Sequence, residues 1–169
     1  MKRVLVIGCP GAGKTTFAKQ LAAETGLPLI HLDYYYHDQS KNYYAPKNKE
    51  TWFAHVRQLM KPDEWIMDGN YSSTFPERFE KADTIIFFDF PLHLRLYGIF
   101  KRRWQFRKKV RDDMPEGWCE AITWEFFKFV WNFENYRPRI TNVLNQRTSK
   151  KVIVFKTRAQ AQRYLDKIK

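Results

Sequence analysis

Cysteine is scarce in this sequence, which has only Cys9 and Cys119 among its 169 residues. Two thiols are too few to build a disulfide scaffold, so the fold must rest on a hydrophobic core. Internal repeats, low-complexity tracts and glycine- or serine-rich linkers are missing too. A chain of this length buries about 70% of its unfolded surface without cross-links. We therefore expect residues 1–169 to form a single domain in a reducing compartment.

Long hydrophobic runs are also missing. The most apolar stretch, residues 84–100, is interrupted by two charged residues, a histidine and a proline, and therefore cannot span a bilayer. Residues 4–7 follow a basic start, but they are too few for the hydrophobic segment of a signal peptide. The sequence therefore predicts a cytoplasmic protein without a membrane span.

Acidic residues are outnumbered by basic ones, and the formal net charge is +12 at pH 7. Such an excess indicates an anionic partner: a nucleotide, a nucleic acid or a negatively charged membrane surface. Seven of the eleven residues in 101–111 are basic, with Trp104 and Phe106 among them. A stretch of this kind can follow nucleic-acid phosphates and stack on bases. Weak, sequence-independent binding of nucleic acid is therefore one expectation.

Strand-like and helical patterns alternate along the chain. We predict strands at residues 4–7, 29–33, 65–68, 84–90 and 151–155, and helices at 14–24, 50–60 and from 158, with two or three more between 92 and 146. The strands are apolar throughout rather than at alternate positions, which is typical of a parallel sheet covered on both faces. The sequence therefore predicts a doubly wound α/β fold.

A glycine-rich motif follows the first predicted strand. Residues 8–15 read Gly-Cys-Pro-Gly-Ala-Gly-Lys-Thr and fit G-x-x-x-x-G-K-[ST] at every position. Glycines let such a loop wrap closely around phosphates, and the following helix adds the positive end of its dipole. The lysine can reach the β- and γ-phosphates, and the Thr15 hydroxyl can bind Mg²⁺. A chance glycine-rich turn is the alternative, but the position between strand and helix favours a nucleotide site.

We therefore predict ATP and Mg²⁺ as cofactors. The predicted nucleotide-binding residues are Gly8, Cys9, Pro10, Gly11, Ala12, Gly13, Lys14, Thr15 and Thr16. Lys14 is also predicted to be catalytic, because its charge can stabilise the transferred phosphoryl group. For Cys9, we favour a role as small filler over a redox role.

Several further segments, which follow the phosphate loop along the chain, carry together with it a resemblance to one family. They are 31–33 (His-Leu-Asp), 65–71 (Trp-Ile-Met-Asp-Gly-Asn-Tyr), 101–103 (Lys-Arg-Arg), 111–117 (Arg-Asp-Asp-Met-Pro-Glu-Gly), 124–126 (Trp-Glu-Phe) and 151–154 (Lys-Val-Ile-Val). With these the sequence resembles the adenylate-kinase-like P-loop kinases, and within them the DNA topology modulation proteins. The resemblance implies a three-layer P-loop NTPase fold with a five-stranded parallel sheet of order 2-3-1-4-5. It also implies an acceptor-side segment at about residues 34–60 and a short lid at about residues 100–117. We expect the hinge of this lid near Gly98 on one side and at residues 115–117 on the other, where the helical pattern weakens.

The resemblance places two carboxylates near the phosphate loop. In kinases of this fold the third strand lies beside the first, so Asp68 would face the loop and hold Mg²⁺ through water. The alternative is a turn-forming aspartate before Gly69. Asp33 would open toward the acceptor and accept a proton from its hydroxyl, with a helix or turn cap as the alternative. His31 is expected to be a packed histidine rather than a base.

Arginines are the second class of candidate, because positive groups around the moving phosphate carry much of the catalysis in phosphoryl transfer. Arg102 and Arg103 match the paired arginines that begin the lid in the resembled kinases. Arg137 and Arg139 match, more loosely, the arginines that follow the lid. We expect these four to be catalytic, with a solvated helix face as the alternative for any one of them. Arg78 is expected to reach a phosphate or carboxylate of the acceptor.

Tyrosines crowd the acceptor-side segment. Tyr34 is predicted to bind the acceptor by stacking or hydrogen bonding, together with Tyr35, Tyr36, Tyr43 and Tyr44. After the Asp-Gly of the third strand this chain reads Asn-Tyr-Ser, where adenylate kinase has a Phe-Pro-Arg segment. The short lid also lacks a zinc-type cysteine cluster. Both departures argue against AMP as the acceptor.

The first hypothesis is ATP- and Mg²⁺-dependent phosphoryl transfer to a small molecule, with a nucleotide or nucleoside favoured as the acceptor. A nucleic-acid-binding regulator that keeps the nucleotide site as a switch is the alternative, and a kinase of a sugar or another hydroxyl metabolite is a weaker one. The position of the positive charge distinguishes the first two. Arginines gathered over the phosphate loop would serve a kinase, whereas an outward stripe would serve DNA.

Overall fold

A parallel sheet forms the centre of the molecule. The computed structural model describes residues 1–36, 49–105, 123–145 and 150–168. The strands are β1 (Arg3–Gly8), β2 (Leu29–His31), β3 (Trp65–Asp68), β4 (Thr84–Phe88) and β5 (Lys151–Phe155). They lie in the order β2-β3-β1-β4-β5, and every neighbouring pair is parallel. The α/β class and the strand order predicted from the sequence are confirmed.

Helices connect the strands. They are α1 (Lys14–Thr25), α2 (Leu32–Tyr36), α3 (Lys49–Leu59), α4 (Phe75–Lys81), α5 (Leu92–Gln105), α6 (Trp124–Trp131), α7 (Phe133–Asn145) and α8 (Arg158–Asp166), with a 3₁₀ turn at Ser72–Thr74. Gly26 ends α1 in the left-handed region, and its N–H donates to the Ala22 carbonyl. The Thr157 hydroxyl caps α8 by accepting from the Gln160 N–H. Among the described helices, none is long and apolar enough to cross a membrane.

The three central strands are buried on both sides. β3 and β4 are buried at every position, and β1 is buried from Val4 onward. Because successive side chains of a strand point to opposite faces, both faces of the sheet are covered. Phe17 of α1 packs against Phe88 and Phe155, with ring centroids 5.2 and 5.5 Å away. This packing fixes the start of α1 against the ends of the strands.

Two strands are shorter than the sequence predicted. β2 ends at His31, and Leu32 buries its side chain from the first turn of α2 instead of continuing the strand. Asp33 therefore lies on a helical turn and not at a strand end. β4 ends at Phe88, two residues before the predicted end. A short apolar run has the same composition in a strand and in a buried helical turn, so composition could not place these ends.

Parts of two predicted functional segments lie outside the described residues. They include Tyr43 and Tyr44 of the acceptor-side segment and residues 106–117 of the predicted lid. Residues 100–105 of that lid form the end of α5. This helix continues through Gly98 without a break, and the hinge near Gly98 stays a prediction.

Candidate active site

The candidate active site lies at the carboxyl edge of the sheet, where β1, β3 and β4 end side by side. Strand register places Gly8 beside Phe88 and Val6 beside Asp68. A cavity of about 700 Å³ opens at this edge. Its walls are the phosphate loop, the start of α1, Asp33, the end of β3 and parts of α5, α6 and α8. Open parallel α/β sheets bind their ligands at this edge.

The main-chain N–H groups of the phosphate loop fall into two sets. The Gly8 N–H donates to Asn70 Oδ1 at 2.9 Å, and the Cys9 N–H donates to the Phe88 carbonyl at 2.9 Å. Both groups are used within the protein, which corrects the prediction that Gly8 and Cys9 bind the nucleotide directly. Residues 10–16 do line the cavity. The first N–H groups of an α-helix have no partner within the helix, and such groups together with the helix dipole favour a bound phosphate.

Cys9 is packed beneath the loop. Its side chain is completely buried, and its Sγ accepts a hydrogen bond from the Phe90 N–H at 3.4 Å. Burial raises the pKa of the thiol above its ordinary value, an effect that the nearby Lys14 charge only partly offsets. A protonated, inaccessible thiol suits the role of small filler that the sequence favoured.

The Lys14 ammonium is folded back over the loop. Its Nζ donates to the carbonyl oxygens of Gly8 and Cys9, each at 3.0 Å. Burial lowers the pKa of this amine below its ordinary value of 10.5, and the Asp68 carboxylate acts in the opposite direction. Charge-assisted bonds to phosphate are stronger than bonds to neutral carbonyls. The ammonium can therefore exchange its two carbonyl partners for phosphate oxygens when a nucleotide binds.

Asp68 has the surroundings of a metal-holding carboxylate. Its Oδ2 accepts a hydrogen bond from Thr15 Oγ1 at 2.7 Å and lies 3.4 Å from His31 Nδ1. Its Oδ1 is buried and has no hydrogen-bond partner within the described ranges. An orphaned buried oxygen is costly, and Mg²⁺ prefers carboxylate, hydroxyl and phosphate oxygens as ligands. The residues present therefore fit a Mg²⁺ ion held by Thr15 and Asp68.

Helix α5 packs so closely on the phosphate loop that only glycines fit at the contact. A Cβ on Gly98 would overlap the Gly11 carbonyl oxygen, and a Cβ on Gly11 would overlap the Arg95 carbonyl oxygen. Gly11 also has φ 73°, a conformation in which an L side chain is strained. The contact fixes the distance between α5 and the loop. Arg102, one turn beyond Gly98, is thereby placed on the cavity wall.

Arg158 is a cavity residue that the sequence reasoning missed. Its Nη2 donates to the Gly11 carbonyl at 2.8 Å, and its guanidinium lies 5.7 and 5.5 Å from the ring centroids of Phe90 and Tyr97. It therefore ties the start of α8 to the loop. Arg158 and Gly11 are 147 positions apart. No local signal in the sequence connects residues so distant from each other.

The side of the cavity where the sequence predicts the acceptor contains Asp33 and Tyr71, and we call it the acceptor side. Both residues line the cavity, and Tyr71 Oη donates to Asp33 Oδ1 at 2.7 Å. Asn70, beside them, forms a reciprocal pair with Gly8, since its Nδ2 donates to the Gly8 carbonyl at 2.8 Å. The sequence reasoning used Asn70 and Tyr71 only as part of a family resemblance and gave neither residue a role.

Arg78 is completely buried below the acceptor side. Its guanidinium donates to Gly69 O at 2.9 Å, to Tyr71 O at 3.0 Å, to Thr74 Oγ1 at 2.9 Å and to Asn70 O. Burial lowers the pKa of Arg78 to about 9, so the group remains a cation at neutral pH. This corrects the prediction that Arg78 reaches the acceptor, because its donors are turned inward to brace the turn after β3.

Tyr34 lies away from the cavity lining. Its side chain is 40% exposed, and its ring packs against Tyr35 at a centroid distance of 5.5 Å. The described residues therefore give no contact through which Tyr34 would reach an acceptor within the cavity.

Of the four arginines expected to be catalytic, the structure brings Arg102 into the cavity. Its guanidinium lies 5.6 Å from the ring centroid of Phe126, which joins the end of α5 to α6. Arg103 is the next residue on α5, but it does not line the cavity. Consecutive helical residues point about 100° apart, and here Lys101 and Arg102 line the cavity whereas Arg103 does not.

The arginines of α7 are placed elsewhere. Arg137 forms an ion pair with Asp89 at the end of β4, and Arg139 lies 5.6 Å from the ring centroid of Tyr136. Neither residue lines the cavity. Of the four arginines expected to gather over the phosphate loop, only Arg102 therefore lines the cavity. The positive charge of Arg137 is neutralised by Asp89, so it does not add to an outward basic surface of the kind that would bind DNA.

The sequence of this chain is similar to known nucleotide-binding proteins. Residues 4–89, just over half of the chain, match the family model described as "ATPase family associated with various cellular activities (AAA)". A shikimate kinase of Parabacteroides distasonis is 45% identical over 64 residues, which are 36% of this chain and 37% of that protein. The similarity therefore spans little more than a third of the curated relative.

The fold is similar to that of solved kinase structures. A shikimate kinase from Acinetobacter baumannii in complex with shikimate matches at a TM-score of 0.60 and 15% identity, covering 99% of this chain and 90% of that one. An unliganded sugar kinase from Janibacter sp. HTCC2649 matches at 0.53 and 16% identity, covering 99% and 91%. An uncharacterized protein from Eubacterium ventriosum matches at 0.50 and 15% identity, covering 99% and 98%. At these identities the likeness establishes the fold alone.

These similarities support the P-loop kinase part of the resemblance read from the sequence. They give no support to its adenylate-kinase and DNA topology modulation parts. The matched family region contains the phosphate loop, Asp33 and Asp68, and the sheet has the strand order β2-β3-β1-β4-β5 that the resemblance implied. On this sequence match and this fold, the chain belongs to the ATPase family associated with various cellular activities (AAA).

Proposed function

We propose that this protein is a kinase that transfers the γ-phosphoryl group of ATP to a hydroxyl group of a small molecule. One observation carries the proposal: a single cavity holds the phosphate loop, the hydrogen-bonded Thr15–Asp68 pair and the Asp33 carboxylate. The loop and the pair suit a nucleoside triphosphate, and Asp33 suits an acceptor hydroxyl. The kinase relatives and neighbours support this proposal.

The phosphate side of the cavity would bind and polarise the triphosphate. The N–H groups at the start of α1 would hold phosphate oxygens, and the Lys14 ammonium would turn to the β- and γ-phosphates. Arg102 would place a second cation on the facing wall. A Mg²⁺ ion held by Thr15 and Asp68 would supply Lewis-acid neutralisation of the phosphate charge.

The acceptor side would hold the attacking hydroxyl. Its oxygen would form the new bond to the γ-phosphorus while the bond from that phosphorus to the β,γ-bridging oxygen breaks and ADP leaves. Asp33 would accept the hydroxyl proton, a contribution that is typically 10²- to 10⁴-fold in rate. The surrounding helices would limit the access of water, which competes with the acceptor for the phosphoryl group.

Hydroxylated small molecules are the first acceptors to consider. The curated relative is a shikimate kinase, one structural neighbour is a shikimate kinase in complex with shikimate, and another is a sugar kinase. We therefore place shikimate and other cyclic polyhydroxy compounds ahead of the nucleotides and nucleosides that the sequence favoured. Arg78 is unavailable for an acceptor phosphate because its donors are occupied, which also disfavours a nucleoside monophosphate.

A phosphoryl-transfer screen tests the proposal. The wild-type protein is incubated with ATP and MgCl₂ and with shikimate, sugars, nucleosides and nucleoside monophosphates in turn, and ADP release is followed with a coupled assay. We expect one chemical class to stimulate ADP release. Lys14→Ala should reduce the stimulated rate by about 10²- to 10³-fold, since it removes a charge aimed at the transferred group. Lys61→Ala, which removes an exposed lysine outside the cavity, should retain it.

The proposal fails if no acceptor raises ADP release by the wild type above its rate with ATP alone. If duplex DNA alone stimulates ATP hydrolysis, the nucleic-acid-binding regulator replaces the kinase. Thermal unfolding of both lysine variants checks that any loss arises in the site and not in the fold.

A further inference from the structure

The backbone at Tyr71 is in an unusual conformation. Its φ of 37° and ψ of 66° lie in the left-handed region, and it is the one residue other than glycine with a positive φ within the described segments. An aromatic L residue avoids this region unless the surrounding structure enforces it. Glycine or asparagine would adopt the same turn at lower cost, so the side chain of Tyr71 must be explained by its contacts.

The surroundings of Tyr71 hold it in this conformation. The buried Arg78 guanidinium and the Thr74 N–H both donate to the Tyr71 carbonyl, each at 3.0 Å. The Tyr71 ring packs against two other rings that also contact each other, with its centroid 4.6 Å from that of Tyr36 and 5.0 Å from that of Trp52. Hydrogen bonds therefore hold the main chain of Tyr71, and this cluster of three rings holds its side chain.

The hydroxyl of the Tyr71 ring is directed at the Asp33 carboxylate. Tyr71 Oη donates to Asp33 Oδ1 at 2.7 Å, within the range of a strong bond to a carboxylate. Burial raises the pKa of Tyr71 far above its ordinary value of 10.0, and the charge of Asp33 and the hydrogen bond raise it further. The phenol therefore stays a donor throughout the pH range in which a kinase works.

The second oxygen of Asp33 is in a different situation. In the segments that the structure describes, no hydrogen bond reaches Oδ2, and Asp33 lines the cavity. A carboxylate held by a fixed donor at one oxygen cannot rotate freely, so its other oxygen keeps one direction. The contact thus makes the two oxygens of Asp33 unequal: one is anchored and the other is available.

We propose that Tyr71 is a positioning residue for phosphoryl transfer: its hydroxyl anchors Oδ1 of Asp33 so that Oδ2 faces the acceptor hydroxyl and receives its proton. This inference rests on the proposed function, in which Asp33 is the proton acceptor. The left-handed turn is then explained, because a residue in an ordinary conformation at position 71 would leave the loop by another path and carry the hydroxyl away from Asp33.

The substitution Tyr71→Phe tests the inference, because it keeps the ring and its packing and removes only the hydroxyl. With the acceptor found in the screen, kcat should fall by about 10- to 100-fold, as expected for the loss of a hydrogen bond to a charged group at a reacting centre. The KM for ATP should stay within about twofold, since the nucleotide is bound by other residues. Tyr164→Phe removes a phenolic hydroxyl outside the cavity and serves as the matched control, with kcat unchanged.

A double-mutant cycle separates positioning from general loosening of the fold. In an Asp33→Asn background, Tyr71→Phe should cause little additional loss of kcat, because the two residues act as one unit. A merely structural role would give losses of kcat that multiply, and it would change the KM for ATP together with kcat.

The outcomes distinguish this inference from the proposed function. If the wild type transfers phosphoryl to an acceptor and Tyr71→Phe retains the wild-type kcat, the positioning role is overturned while the kinase stands. If the losses of Tyr71→Phe and Asp33→Asn multiply, Tyr71 does not act through Asp33, and the inference is again overturned. If the wild type transfers phosphoryl to no acceptor, the proposed function fails, and this inference fails with it.

Discussion

Replacement of the buried Arg78 by methionine gives a sharp test of how the acceptor side is built. Methionine fills a similar volume but has no hydrogen-bond donor, so the carbonyl oxygens that accept from the guanidinium lose this donor. The Tyr71 carbonyl keeps the Thr74 N–H and Thr74 Oγ1 as donors, each at 3.0 Å. The Gly69 and Asn70 carbonyls have Arg78 as their donor, and the described residues supply no other.

The expected loss of stability follows from these two orphaned oxygens. A buried acceptor that loses its partner costs about 1–3 kcal/mol. Two of them sum to about 2–6 kcal/mol, and the relief of burying a cation without a carboxylate partner offsets part of this. We therefore expect Arg78→Met to lower the free energy of unfolding by about 3 kcal/mol, which corresponds to a fall in Tm of roughly 6–12 °C for a protein of this size.

Thermal and urea unfolding of the purified variants provide the measurement. Arg57→Met is the matched control, because Arg57 is an exposed arginine that pairs with Glu77 on the neighbouring helix at 2.7 Å. Exposed ion pairs contribute little to the free energy of unfolding, so this variant should have about the same Tm as the wild type. If Arg78→Met also unfolds within about 2 °C of the wild type, the reasoning is refuted, and the guanidinium does not brace the turn.

Three other substitutions test separate parts of the structure. Gly98→Ala should lower Tm although alanine favours a helix by about 1 kcal/mol, because its Cβ meets the phosphate loop; a raised Tm in thermal unfolding would contradict this close contact. Burial raises the pKa of Asp83, but hydrogen bonds from the Thr84 hydroxyl and from main-chain N–H groups outweigh it and lower the pKa below 3.8. The stability that Asp83 contributes is therefore present above pH 3.8 and is lost as the pH falls through the lowered pKa. Urea unfolding should separate Asp83→Asn from the wild type at pH 7, and the difference should shrink as the pH is lowered below 3.8. Arg102→Ala should reduce acceptor-stimulated ADP release by about 10- to 100-fold, whereas Arg139→Ala should retain it; equal rates in the two variants would show that Arg102 is misplaced in the site.

The sequence carried enough information to predict the class of the fold and the phosphate loop. A glycine pattern followed by Lys14 and Thr15 is a local signal, and its position between a buried strand and a helix is readable from neighbouring residues. The strand order came from the family resemblance and was confirmed. The position of Asp68 near the phosphate loop could also be predicted, because Asp68 ends a strand that this order places beside β1.

Other assignments could not be made from the sequence because they depend on how polar groups are satisfied. Gly8 and Cys9 belong to the loop motif, yet their N–H groups are taken by Asn70 and Phe88. Arg78 looked like a group for an acceptor, yet the fold buries it against main-chain oxygens. A composition or a motif specifies which donors exist, but it does not specify which acceptors the fold will bring to them.

The contacts that shape the acceptor side and the loop were decided by tertiary structure alone. Tyr71 and Asp33 are 38 positions apart, and Arg158 and Gly11 are 147 apart. Their meeting depends on the packing of α2, α5 and α8 around the sheet, to which every buried side chain contributes. Local patterns act over a few residues along the chain, which is why they determined the strands, the helices and the phosphate loop. Bonds between distant residues form only when the whole core is in place, because the position of each partner is set by other elements.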